Sequence, residues 1–165
     1  MGRKAVVAYR GSHCFGLAPA ELWAAIERFE RFEGWWSWLT EFRWEGDGLV
    51  EGSVLSGIVA PPVPYRMRVQ VELVRCEKPR CVDARVSGDL EGDAHMVIRR
   101  ERRGSIVEAS WTIEMMQPAM RVADRVAHPL LCWGHDRVVS MTVAGFRRHV
   151  ERSSSIDPGR YRKDG

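Results

Sequence analysis

Hydrophobic and polar residues alternate one by one through most of the middle of the chain. Met67, Val69, Val71 and Leu73 alternate with Arg66, Arg68, Gln70 and Glu72. Val82, Ala84 and Val86 alternate with Asp83, Arg85 and Ser87, and Val107, Ala109, Trp111, Ile113 and Met115 with Glu108, Ser110, Thr112 and Glu114. A period of two gives each segment one dry and one wet face, as in an antiparallel sheet covered on one side. Phe42 with Trp44, the stretch Ser53 to Ala60, and Met96 with Ile98 predict further strands. Gly46-Asp47-Gly48, Pro61-Pro62-Val63-Pro64, Glu77-Lys78-Pro79-Arg80 and Gly104 supply turns between them. Lys4 to Phe15, rich in Val, Ala and Tyr, predicts a first strand.

The period lengthens in two places. Leu17-Ala18-Pro19-Ala20-Glu21 has Pro and Glu where a helix start favours them, and Leu22, Ala25, Ile26 and Phe29 follow at helical spacing. A break near Arg31 to Gly34 precedes a short second helical piece carrying Trp35, Trp36 and Trp38. Met120 to about Val150 predicts one long helix, with Pro129 a candidate kink. On a helical wheel Val126, Leu130, Gly134, Val138, Met141 and Gly145 share a stripe, with Arg137 near its centre and His135 and Asp136 off it. Val139, Phe146 and Val150 form a second stripe, which suggests contact on both sides or a second copy of the chain in a homodimer.

The order strand, two short helices, about six strands, long helix predicts an α+β helix-grip fold. In it a curved antiparallel sheet of about seven strands wraps a long C-terminal helix. The sheet's dry face needs cover, and only the last helix is long enough. A curved sheet on a straight rod leaves a space between them, a natural apolar pocket. Residues 1–151 form the expected single domain, and residues 152–165, rich in Ser and charge, an expected disordered tail.

Composition narrows the function. A chain of 165 residues with 45% hydrophobic and 28% charged residues has the make-up of one globular domain. The net charge of +3 is too small for a nucleic-acid face, and the local cluster Arg99 to Arg103 predicts a solvated hairpin tip. No apolar run approaches the roughly 18 residues of a membrane-crossing helix. The N-terminus meets Arg10 too soon for a secretory signal, so a cytoplasmic location is expected. Cys14, Cys76, Cys81 and Cys132 form no C-x-x-C pair, although Cys76 and Cys81 flank a hairpin turn. His13, His95, His128, His135 and His149 are scattered, so neither metal nor cofactor is expected. There is no nucleophile elbow, phosphate-binding loop or H-E-x-x-H.

Three stretches resemble a known family. Val63-Pro64-Tyr65-Arg66-Met67-Arg68 resembles the lead-in to the fourth strand of bacterial polyketide cyclase/dehydrase-like members of the START/Bet v 1-like (SRPBCC) superfamily. Ser87-Gly88-Asp89-Leu90-Glu91-Gly92 resembles a turn of the same group. Trp133-Gly134-His135-Asp136-Arg137-Val138-Val139 resembles its last-helix signature, with Gly134 where Asn is usual. The resemblance spans residues 5–150 and implies the helix-grip fold. That frame hosts lipid carriers, cyclases, hydrolases and regulators, so it does not choose among functions.

The expected function is the binding of a small hydrophobic molecule (lipid, polyketide or aromatic metabolite) in the internal cavity. Candidate wall residues are Trp36, Trp44, Tyr65, Met67, Val86, Met96, Trp111, Arg137 and Met141. Each apolar one also fits plain core packing. Trp44 and Trp38 read as packing where the short helices meet the sheet, while Trp35 and Trp36 read equally as packing or as an aromatic gate. If there is chemistry, a polyketide aromatase/cyclase or dehydratase would use Arg137 to stabilise an oxyanion and His135 or Tyr65 to move a proton. A third reading is an interaction module with a collapsed cavity. Convergence of Tyr65, His135 and Arg137 favours catalysis, a dry cavity favours binding, and a filled interior with exposed aromatics favours interaction.

Overall fold

The computed structural model describes residues 6–62 and 64–154; in the last helix the side chains at 119–128, 130–131 and 153–154 lie outside that description. Seven strands form one antiparallel sheet: β1 (Val6–Phe15), β2 (Leu39–Glu45), β3 (Val54–Val59), β4 (Met67–Glu77), β5 (Cys81–Gly88), β6 (Leu90–Glu101) and β7 (Gly104–Met115). Their spatial order is β1-β7-β6-β5-β4-β3-β2. Consecutive strands pair as hairpins, and β1 closes on β7 with Tyr9 opposite Trp111.

Between β1 and β2 lie α1 (Pro19–Ile26), a single 3-10 turn (Phe29–Arg31) and α2 (Phe32–Trp35). Pro19 opens α1, and the Glu21 carboxylate accepts the Ala18 N–H at 2.9 Å, which satisfies a donor the helix leaves open. Leu22 and Trp23 are fully buried, a depth the apolar spacing did not reveal for Trp23. Its indole donates to Glu27 at 2.9 Å. The last helix, α3 (Pro118–Ser154), contains Pro129 and runs into the segment expected as a tail. Val126, Leu130 and residues 155–165 fall outside what is described.

Two bulges curl the sheet. One lies between Thr40 and Arg43 of β2, the other between Leu73 and Arg75 of β4. At the first, Glu41 takes a positive φ of 53°, and Gly57 on β3 leaves room for the Leu39 side chain. The Phe42 N–H donates to Glu33 of α2 at 2.8 Å. The Gly88-Asp89 turn ties three strands together. The Asp89 carboxylate accepts the Arg68 N–H, its own N–H donates to the Arg68 carbonyl, and its carbonyl accepts the Met116 N–H. Gly88 has φ 106°, and a Cβ there would meet the Arg68 carbonyl at 2.5 Å, so this turn requires glycine.

The curl separates two cores. The larger lies under α1 and α2 and includes Trp23, Phe32, Leu73, Ile98, Phe146 and Val150. The smaller, at the other end of the sheet, holds Val7, Met67, Val86, Leu90 and Met115. Gly145 lets α3 approach the larger one, since a Cβ there would lie 2.5 Å from the Trp35 carbonyl. Cys14, Cys76 and Cys81 are free thiols. Cys76 stands opposite Val82 and Cys81 opposite Glu77. Burial, then the neighbouring Cys81, holds the Cys76 thiol up at about 11. Arg102 and Arg103 are exposed at the β6–β7 turn, and Arg99 pairs with Glu108 at 2.8 Å. Among the described residues no helix is long and apolar enough to cross a membrane, and none form a metal-binding cluster.

Candidate functional site

The space between the two cores is a cavity of about 440 Å³. Its floor is the dry face of the sheet, from Val7 to Phe15 on β1, Met67 to Val71 on β4, and Val107 to Met115 on β7. Its roof is α3, through Gly134, His135, Val138, Val139, Thr142, Val143 and Phe146. Phe32, Trp36 and Trp38 close one end. Its volume lies in the range of small-molecule sites, roughly 300–1,000 Å³.

Of the wall residues expected from sequence, Trp36, Tyr65, Met67, Val86, Met96 and Trp111 line this cavity. Trp44, Arg137 and Met141 do not. Trp44 is 42% exposed and stands behind Phe42 and Phe29 at the edge strand, with Phe32 between that cluster and the cavity. Arg137 and Met141 face an outer groove between α2 and α3, beside Trp35, Ser140 and Arg148. Arg137 is exposed there. The two wheel stripes were centred on aliphatic residues and glycines, but the inward face of α3 falls between them, on His135 and Thr142. Two positions beyond His135 is about 200° around the helix, so Arg137 points away. One inward face thus carries Val138 from the first stripe and Val139, Phe146 and Val150 from the second.

His135 and Thr142 are tolerated in that face because each polar group has a partner. The Thr142 hydroxyl donates to the Val138 carbonyl at 2.7 Å. The Trp111 indole N–H donates to His135 Nε2 at 2.9 Å. Indole is a donor only, so Nε2 is the acceptor and the neutral ring carries its proton on Nδ1. Nδ1 lies 3.3 Å from the exposed Asp136 carboxylate. Tyr65, His135 and Arg137 therefore do not converge. His135 holds Trp111 in place, and Arg137 is on the other side of the helix.

Sequence reading missed Tyr9 and His13. Both are on the dry face of β1, four residues apart, and the Tyr9 hydroxyl lies 2.9 Å from His13 Nε2. The Tyr9 ring lies along the strand over Gly11, where a Cβ would collide with its hydroxyl. It stacks on Trp111 with ring centroids 4.3 Å apart and planes 25° apart. The pattern Tyr9-x-Gly11-x-His13 was the available signal: a glycine on the dry face between two polar rings. Burial, and then the Asp136 charge, raises the Tyr9 phenol above its usual pKa. Burial, and then Arg147, lowers His13 below the usual imidazole value. Burial likewise raises Tyr65. These shifts favour the uncharged form of each group at neutral pH.

The tryptophan group divides. Trp35 packs on Phe146 and His149. The Trp36 indole donates to the Thr142 carbonyl at 2.9 Å and clamps α2 to α3. Trp38, read from sequence as packing, stacks on Trp36 and shares the cavity wall with it.

No family model and no curated protein sequence matches the chain. Solved structures do. Ara h 8.0201 superposes with a TM-score of 0.61 at 15% identity, covering 89% of this chain and 99% of that one. Norcoclaurine synthase of Thalictrum gives 0.63 at 10%, covering 92% and 98%. A polyketide-cyclase-like protein of Corynebacterium glutamicum gives 0.51 at 17%, covering 93% and 96%. At such identities the likeness shows fold alone, and it agrees with the strand order and the long closing helix: the chain has the START/Bet v 1-like (SRPBCC) helix-grip fold.

Proposed function

We propose that the protein binds a small hydrophobic molecule in the cavity between the sheet and α3. The observation that carries this reading is the cavity itself, about 440 Å³ bounded by apolar and aromatic side chains from both layers. A collapsed interior would have left no such space. The residues that a cyclase or dehydratase would have used do not meet: His135 Nε2 is occupied by Trp111, and Arg137 is outside. Within the cavity Met67 and Met96 supply adaptable thioether surface, and Trp36 and Trp111 supply flat walls.

Titration with Nile red, an uncharged apolar dye, tests the reading. The dye should brighten on binding and be displaced by naphthol or decanol. Ala109 lies on the cavity floor, so Ala109→Trp should weaken dye binding by about tenfold or more while the protein stays folded. Met141→Trp, in the outer groove, should leave it unchanged. Equal dye binding by the wild type and Ala109→Trp would overturn the reading.

A further inference from the structure

The cavity wall is unusual in its charge inventory. Among the described residues, no Asp, Glu, Lys or Arg lines it. The nearby cations are placed elsewhere. Arg137 and Arg148 face the outer groove beside α2. Arg147 donates to the Cys14 carbonyl at 3.2 Å and covers the Phe15 ring from outside. Most polar atoms of the wall are already engaged. Trp111 and His135 satisfy each other, Trp36 is held by the Thr142 carbonyl, and the Thr142 hydroxyl by Val138. Besides the buried Trp38 indole N–H, which has no partner but can only donate, two features keep hydrogen-bonding capacity for a guest: the Tyr65 hydroxyl and the Tyr9–His13 pair.

The pair is the better anchor, because it can serve either kind of partner. With the His13 proton on Nδ1, the Tyr9 hydroxyl donates to Nε2 and its oxygen still accepts from a guest hydroxyl. With the proton on Nε2, that N–H donates to the Tyr9 oxygen, and the phenol proton is free for a guest carbonyl. Tyr9 and His13 also line a second groove, on the outside between β1 and α3, rimmed by Asp136 and Arg147. The pair therefore stands in the wall between cavity and solvent, where the polar end of a guest loses least hydration.

Resting on the cavity reading above, we infer that the guest is an uncharged molecule with one hydroxyl or carbonyl group, which meets Tyr9 and His13 while its apolar body lies along Met67, Met96 and Trp111. Carboxylates and phosphates are selected against, because among the described residues no cation lines the cavity, and Arg147 on the rim of the outer groove is offset there by Asp136, so a buried anion keeps too little of its hydration energy.

Competition against Nile red at about pH 8, where carboxylates are ionised, separates the possibilities. Naphthol should displace the dye, and naphthoate and naphthylmethylamine should compete at least about tenfold less well. Tyr9→Phe should weaken naphthol about three- to tenfold and leave methylnaphthalene unchanged, since it removes one hydrogen-bonding group. Tyr65→Phe should weaken naphthol less than Tyr9→Phe does. If Nile red does not bind the wild type, the cavity reading fails and this inference falls with it. If the dye binds but naphthoate or the amine competes as well as naphthol, the cavity reading stands and the neutral-guest inference is overturned. If Tyr65→Phe rather than Tyr9→Phe carries the naphthol effect, the placement at Tyr9 and His13 is overturned. The wild-type competition series stands independently of how either variant folds.

Discussion

Trp23 and Trp111 are both indoles on the dry side of the sheet, yet their surroundings differ. Trp23 is fully buried in the larger core, whereas one side of Trp111 faces the cavity. Trp23→Ala should cost about 3–5 kcal/mol, as for a packed aromatic. Trp111→Ala should cost nearer 1–2 kcal/mol, because fewer contacts disappear. Urea unfolding of the two variants checks this, and equal losses would mean that Trp111 is plain core. Arg137 is exposed, so Arg137→Met should change stability by under about 0.5 kcal/mol and leave Nile red affinity intact. A loss of several kcal/mol would reveal a buried partner for it. Titration gives a further check. The pKa of His13 is lowered by burial and then Arg147, and that of His149 by burial and then Arg28, Arg31 and Arg152. The unfolded chain therefore takes up protons first. Stability linked to these neutral rings is present above the unfolded value of 6.5 and is lost as pH falls through it toward the folded values. The melting temperature should drop between about pH 7.5 and 5.5, and less steeply in His149→Gln. A flat profile in the wild type would contradict the lowered values.

At the scale of elements, α3 docks through a glycine. In an open helix, Gly→Ala gains up to about 1 kcal/mol from propensity. At Gly145 the sign should reverse, because the new methyl would meet the Trp35 carbonyl and the Trp36 ring. A destabilisation of about 1–3 kcal/mol is expected by thermal unfolding. A stabilised Gly145→Ala would show that α3 and α2 are not held this closely. The strands were legible because a period of two survives where one face is dry, as in β4, β5 and β7. Edge strand β2 was legible as a strand but not in its contacts, since the bulge after Thr40 and the rings of Phe29 and Phe42 decide where Trp44 lies. The face of α3 was misread for a physical reason. Hydropathy places His135 and Thr142 outside an apolar stripe, but hydrogen bonds to Trp111 and Val138 make them acceptable inside one. Tyr9 and His13 were missed because their partnership depends on the Gly11 gap, which only the ring geometry shows.

For the molecule as a whole, seven strands and one long helix enclose a space that neither layer fills alone. The central claim is that this space takes up a small apolar guest. The methionines report on it from inside and outside: Met67, Met96 and Met115 line the cavity, and Met141 lines the outer groove. Methyl NMR of methionine-labelled protein, titrated with naphthol, tests the claim most directly. The account predicts saturable shifts at Met67, Met96 and Met115 with Met141 unmoved. Shifts at Met141 alone, or no saturable shift at any of the three cavity methyls, would contradict it.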